Sequence, residues 1–278
     1  MDGHGGENTS FDNYRIPEAL WQRMLAVLPQ YKRSPNGGRP RKDLRRVADA
    51  IFYRLRTGCQ WKAIPPQLCP GSTAWDYFAH WVARGVFEKL WELALDEYDD
   101  LRGLDWRWQC VDGAMTKAPL GGNGTGKNPT DRAKGGTKRS LMTEAAGIPV
   151  GLVVAGANVH DSRLLVETVE DAERHAPGCV EEDDQHLCLD AAYQGEELHQ
   201  LLRTVWNYTL HVRGRGEEQT EKRTRGERAR RWVVERTHGW LNRFRAILLR
   251  WDKRLDHHLA SLQLACAYYT AKQAGVFG

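Results

Sequence analysis

A chain of 278 residues with 41% hydrophobic content and eleven tryptophans is long enough for one large core or two ordinary ones. No run approaches the ~20 apolar residues of a membrane span, and the polar start MDGHGGENTS lacks the basic and apolar regions of a secretory leader. Six scattered cysteines (Cys59, Cys69, Cys110, Cys179, Cys188, Cys266) form no Cys-x-x-Cys pair, so they indicate neither a zinc ribbon nor a disulfide framework, and a reduced cytoplasm is the simplest setting.

In chain order, residues 1–14 are polar and Gly-rich and read as a disordered tail. Ile16–Leu28 reads as a helix with Pro17 in its first turn. Residues 32–42 form a basic, Pro/Gly-rich connector. Leu44–Arg56 is a second helix, with Asp43 as N-cap and Gly58 after its end. Ser72 caps a third helix carrying Trp75, Phe78 and Trp81, and a fourth runs from Val86 to about Tyr98. These helices make residues 15–100 a small all-α, helix-turn-helix-like unit. An accessory bundle packed on the next domain is the alternative, because the charge of this segment is nearly balanced.

From Trp106 the period changes to that of strands. Trp106–Val111 reads as a strand ending at Asp112-Gly113, and Lys138–Thr143 and Pro149–Val154 as two more, joined by a turn at Gly147. A helix over Asp161–His175 follows. Then come an acidic loop at 181–184, a strand ending at Asp190, a helix over Gly195–Thr204 and a strand over Asn207–Val212. Three strands, helix, strand, helix, strand, helix is an α/β order: a mixed sheet covered by helices over residues 101–278.

Residues 228–254, RARRWVVERTHGWLNRFRAILLRWDKR, read as one long amphipathic helix that carries Glu235 among cations. Glu235 could simply pair with Arg231, one turn away. The net charge of +4 is polarised: residues 1–100 carry +1, residues 101–212 carry −5 and residues 213–278 carry +8. An acidic middle before a basic end fits metal-binding carboxylates beside a polyanion surface, and also an ordinary solvated surface.

Asp112 and Asp190 sit at strand ends, where ligands of open α/β sheets bind. If the two strands are neighbours, both carboxylates face one edge, and the covering helix can deliver Glu235. Three converging carboxylates make a hard-oxygen site for Mg²⁺ or Mn²⁺. Two ions ~3.5–4 Å apart would suit phosphoryl transfer. Any one of these acids alone is also an ordinary turn residue or ion-pair partner.

Asp112-Gly113, the stretch 128–132 (NPTDR), 157–161 (ANVHD), 190–193 (DAAY), 234–237 (VERT) and 240–245 (WLNRFR) occur in one order. In that order they resemble bacterial insertion-sequence transposases with a DDE triad, of the IS-five type. Trp61-x-x-Ile64-Pro65 resembles the N-terminal region of that family. The resemblance spans about residues 16–254. It implies a ribonuclease H-like catalytic domain in which Asp112, Asp190 and Glu235 are the catalytic, metal-binding acids, working with two Mg²⁺ or Mn²⁺ ions. It also implies a bacterial, nucleoid-associated enzyme that binds double-stranded DNA, cuts the 3′ ends of its element and transfers them into target DNA, as a homodimer or higher oligomer. The alternative is a non-catalytic DNA-binding descendant. Arg228 and Asn242 depart from the family pattern, standing where Tyr and Lys are common around the last acid.

Arg231, Arg236, Arg243 and Arg245 are candidate DNA contacts, as are Lys127, Arg132, Lys134 and Lys138, which with Arg139 read as a flexible basic loop. His160 and Asp161 cap a helix or, by the resemblance, support the metal site from outside. Gly121-x-x-x-x-Gly126-Lys127 mimics a P-loop, but Asn128-Pro129 denies it the helix that would hold phosphate. His257-His258 reads as a helix-surface pair. Trp240 and His238 are core residues or stacking groups for a base.

Overall fold

The computed structural model describes residues 12–31, 40–175, 185–213 and 231–277. Arg228, Cys179 and the loops at 32–39, 181–184 and 214–226 lie outside them.

Among the described residues four α-helices precede the sheet: α1 (Glu18–Val27), α2 (Leu44–Thr57), α3 (Gly71–Val82) and α4 (Val86–Arg102). Helix α2 begins and ends as its sequence dictates. The Asp43 carboxylate accepts from the Arg45 amide, and Gly58 takes the left-handed conformation (φ 69°) that closes the last turn. Helix α1 starts after Pro17, and α3 starts at Gly71 on a Pro70 cap, so Ser72 lies inside the helix instead of capping it.

The sheet comprises β1 (Trp108–Lys117), β2 (Gly126–Lys127), β3 (Gly135–Thr143), β4 (Pro149–Gly156), β5 (Gln185–Asp190) and β6 (Tyr208–Arg213). β1 pairs antiparallel with β3, and β4 and the short β2 lie antiparallel along the other edge of β3. On its opposite side β1 pairs parallel with β5, which pairs parallel with β6. Three antiparallel strands followed by two parallel ones, in the order β4-β3-β1-β5-β6, is a ribonuclease H-like sheet. Helix α5 (Asp161–His175) packs on β3 and β4, and α6 (Glu196–Trp206) connects β5 to β6.

Two expectations change here. β1 continues through Asp112 to Lys117, so Asp112 lies in mid-strand opposite Leu141. The basic stretch is not one helix. It breaks into α7 (Trp232–Leu241), a single turn α8 (Arg245–Leu248) and a non-helical segment over 249–254 that leads into α9 (Leu255–Gln273). Between α8 and α9, Leu249 bridges to Lys117 beside β1, and the Arg250 amide donates to the Lys117 carbonyl at 2.9 Å. Tertiary pairing overrides the local helical pattern.

Helix α9 packs against α4 and is buried on nearly every face. Its buried residues include the polar His257, His258, Ser261, Gln263 and Thr270, so no clean apolar stripe marks where it begins. His257 and His258 are buried in it rather than on the surface. One hydrophobic cluster runs from Leu20 and Trp91 through Val150 and Leu187 to Leu264, so helices and sheet share a core.

Candidate active site

The parallel register pairs Cys110 with Cys188, its last pair, and Asp112 and Asp190 each lie two residues beyond it on their strands. Helix α7 buries Val233, Val234, Thr237, His238 and Leu241 and leaves Arg231, Glu235 and Arg236 on its outer side. Arg231 joins two of the acids: one guanidinium nitrogen lies 3.0 Å from Glu235 Oε1 and another 3.5 Å from Asp190 Oδ2. The ion pair within α7 and the convergence of the acids are therefore both present, not alternatives. Burial pushes the Asp112 carboxyl up to about 6, with Asp190 and Glu235 adding to the rise and Arg231 opposing it. Three carboxylates within electrostatic reach, one of them reluctant to ionise, form a hard-oxygen donor set whose mutual repulsion a divalent cation would relieve.

A second tier of residues fixes this edge. The Arg139 Nε donates to His238 Nδ1 at 3.1 Å, which leaves the imidazole proton on Nε2. That nitrogen lies 3.3 Å from the Asp112 carbonyl and 4.0 Å from its carboxylate. Burial, with Arg139 beside it, pushes the His238 pKa down to about 3, so the ring is a neutral donor. Asn242, where the family pattern favours Lys, accepts from Arg139 Nη2 at 2.8 Å. Its role here is to brace β3 against the end of α7.

Asp161 opens α5 and reaches the strand residue next to Asp112. A methyl group on Gly113 would stand 2.1 Å from Asp161 Oδ1, so glycine is required there by the close approach of a carboxylate. Asp161 Oδ2 accepts from Lys138 Nζ at 2.8 Å, while Oδ1 is buried without a hydrogen-bond partner. His160 is exposed and meets the Ser162 hydroxyl and amide, which makes it a cap for α5. The Tyr193 phenol, three residues beyond Asp190, is raised by burial and then by the charges of Asp161, Asp112 and Asp190. It remains protonated among these acids.

The candidate DNA contacts divide. Lys127, Arg132, Lys134, Arg243 and Arg245 are exposed. Lys138 and Arg139 are not part of a flexible loop: both are buried in β3, and the Lys138 amine is held by Asp161 and the Val159 carbonyl. A buried, fully engaged amine is not free to meet phosphate. Arg236 is exposed, but it donates to the Ala146 carbonyl and lies over Trp232. Arg243 covers Trp240 at 3.7 Å, and Trp240 is half-buried against the core. Gly126-Lys127 forms β2, with no helix N-terminus behind it for a phosphate. Arg243 and Arg245 line an open cleft of about 610 Å³ with Arg56, Tyr14 and the exposed Trp251. No local pattern marks Arg56, on α2, as a partner of these residues.

Residues 107–270 match the family described as "Transposase DDE domain", and residues 16–91 match "Putative transposase of IS4/5 family". The putative transposase for insertion sequence element IS402 of Burkholderia cepacia is 35% identical over 144 residues, which is 51% of this chain and 66% of that protein. The chain thus spans just under two thirds of that relative. An uncharacterized 16.2 kDa protein of insertion element IS402, from the same organism, is 30% identical over 118 residues, covering 41% of this chain and 80% of that one. A chain of the pre-cleavage Mos1 transpososome aligns over 93% of this chain and 86% of its own length, at 11% identity and a TM-score of 0.30, a likeness too slight to build on.

Proposed function

This chain belongs to the transposases with a DDE domain, and from that premise we propose that it binds the inverted-repeat ends of an insertion sequence, cleaves their 3′ strands and joins them to target DNA. The observation that carries this reading is the acid edge. Asp112 and Asp190 lie two residues beyond the last pair of neighbouring strands, Arg231 ties Asp190 to Glu235, and both acids add to the burial that raises Asp112.

DDE domains work with divalent metal ions. Asp112, Asp190 and Glu235 are the residues that would hold them, and Mg²⁺ or Mn²⁺, as two ions, suits their oxygens. When bound, such ions stabilise the attacking and departing oxygens of phosphoryl transfer. The rest falls to the chain itself. His238 and Arg139 fix the β1 backbone at Asp112, and Asp161 and Tyr193 fill the space beside it. Arg231 neutralises two acids and is placed to exchange a carboxylate for a phosphate oxygen as DNA arrives.

Double-stranded DNA is the proposed partner. Lys127, Arg132 and Lys134 on one loop and Arg56, Arg243 and Arg245 around the cleft are its proposed backbone contacts, and Trp251 offers a stacking face. Residues 15–100 serve as the DNA-binding or accessory unit and residues 101–278 as the catalytic unit. Two element ends brought together call for a homodimer or larger assembly. Among the described residues no helix is long and apolar enough to cross a membrane.

The test is a labelled duplex carrying the DNA that flanks the gene, incubated with Mg²⁺ or with EDTA, for the wild type and Glu235→Gln. A metal-dependent nick at the element boundary, followed by joining to a second DNA and lost in the variant, is the expected result. Binding without a nick in either Mg²⁺ or Mn²⁺ would instead indicate the non-catalytic descendant.

A further inference from the structure

Helix α5 carries a second cluster at its far end. Asp161 is its first residue and His175 its last, which puts the two about 20 Å apart at the rise of an α-helix. His175 is 3% exposed, its ring lies against Trp91 with centroids 4.6 Å apart, and nothing in the proposed transposition chemistry uses it. Its Nδ1 meets two acceptors, the Asp171 carbonyl at 2.8 Å and the Asp171 carboxylate at 3.3 Å, so the ring proton sits on that nitrogen. Nε2 then presents a lone pair, and it is buried without a hydrogen-bond partner. It faces Glu88 Oε1 at 3.6 Å and Glu92 Oε1 at 4.0 Å, successive turns of α4.

Three acceptors converging on one point need a cation between them. A proton on Nε2 would draw one carboxylate to hydrogen-bond distance, ~2.8 Å, yet both stand beyond it at similar range. An ion with bonds of ~2.0–2.1 Å sets tetrahedral ligands about 3.4 Å apart, close to the spacing seen here. The ligand atoms all lie within 4.8 Å of one another. A ring nitrogen bonded to a backbone carbonyl, with the other bare, is also how a metal-binding histidine is oriented. The Arg174 guanidinium, 3.7 Å from Glu88 and 3.1 Å from Asp171, lies at the rim and balances part of the acidic charge.

We propose that Glu88, Glu92 and His175 bind one zinc(II) ion that joins the last N-terminal helix to the first helix of the sheet domain. Imidazole with two carboxylates suits zinc, and water would complete the four ligands. The ion is structural: it clamps α4 to α5 far from the acid edge.

The test titrates zinc(II) into the full chain after EDTA treatment and dialysis, followed by calorimetry. One zinc per chain is expected in the Asp112→Asn/Asp190→Asn double variant, in which the acid edge no longer contributes. Affinity should fall at least tenfold in His175→Gln and in Glu92→Gln. Should His175→Gln fail to fold, Glu92→Gln decides, since that side chain is 38% exposed and its loss is tolerable. Cobalt(II) in place of zinc should give the visible bands of a four-coordinate site, absent in Glu92→Gln. Uptake that Glu92→Gln leaves unchanged, or that only the double variant abolishes, overturns the proposal. So does a wild type that takes up no zinc, which would leave His175 as an imidazolium paired with Glu88.

Discussion

Arg231 and Arg250 come from the same basic stretch and end in opposite surroundings. Arg231 lies at the open edge of the sheet and pairs with two acids, Asp190 and Glu235. Arg250 is fully buried, and its guanidinium donates to the Asp252, Gly124, Asn123 and Lys253 carbonyls and the Thr137 hydroxyl. Two residues on, Asp252 pairs with the buried Arg54 of α2 at 3.0 Å. The first arrangement holds its charges in a state that a phosphate or a metal can displace; the second is closed by its own hydrogen bonds. A run of arginines in the sequence is thus not one surface. The difference lies in what each guanidinium meets: side-chain carboxylates at Arg231, mostly backbone carbonyls of the interior at Arg250.

That contrast can be broken from either side. The largest effect belongs to the open edge: Asp112→Asn should reduce end cleavage by ~10³-fold or more, on the scale of losing a transition-state charge stabiliser. Binding of the same DNA should stay nearly intact in a gel-shift assay, and loss of both together would count against the assigned role. Next comes the closed side. Asp252→Ala leaves Arg54 buried and unpaired, and should cost about 3–5 kcal/mol in denaturant unfolding. A loss below 1 kcal/mol would mean that the pair is solvated.

A smaller effect comes from His258, whose pKa burial and the neighbouring Arg250, Arg139 and Arg54 push down to about 3. The folded chain keeps this ring neutral while the unfolded chain protonates it near 6.5, so its contribution is complete above that pH. It is lost as pH falls from about 6.5 toward 3, at up to ~1.4 kcal/mol per unit. Melts between pH 7 and 5 should show a shallower acid slope in His258→Gln than in the wild type. The smallest effect is expected at Arg245, exposed beside the cleft. Arg245→Ala should change stability by less than about 0.5 kcal/mol. It should lower the slope of log affinity for DNA against log salt by about one.

What the sequence disclosed follows from where each signal is local. Helix α5 spans the residues its pattern marks, Asp161–His175, and β5 ends at Asp190 as its turn residue indicates. The order of strands and helices was legible because each change of period lies within a few residues. Asp112 was misplaced to a strand end because Gly113 reads as a terminator. The glycine instead makes room for Asp161, 48 positions away, a demand no local pattern expresses. The acids themselves stood out as carboxylates beside strand and helix signals, and the resemblance placed them in order. Their supports did not stand out, since Arg139 and His238 meet across 99 residues. Lys138 and Arg139 carry the same formal charge as exposed cations, and only the pairing of β3 between β1 and β4 puts them inside.

The central claim is that Asp112, Asp190 and Glu235 act as one metal-binding unit. It is tested most directly by manganese(II) titration followed by electron paramagnetic resonance. The wild type, Asp112→Asn, Asp190→Asn and Glu235→Gln would each carry Glu92→Gln, so that the α4–α5 cluster does not contribute. Each single change at the acid edge should weaken manganese uptake at least tenfold. Uptake unaffected by all three would contradict the account, because the carboxylates would then be neighbours on a sheet edge and not a site.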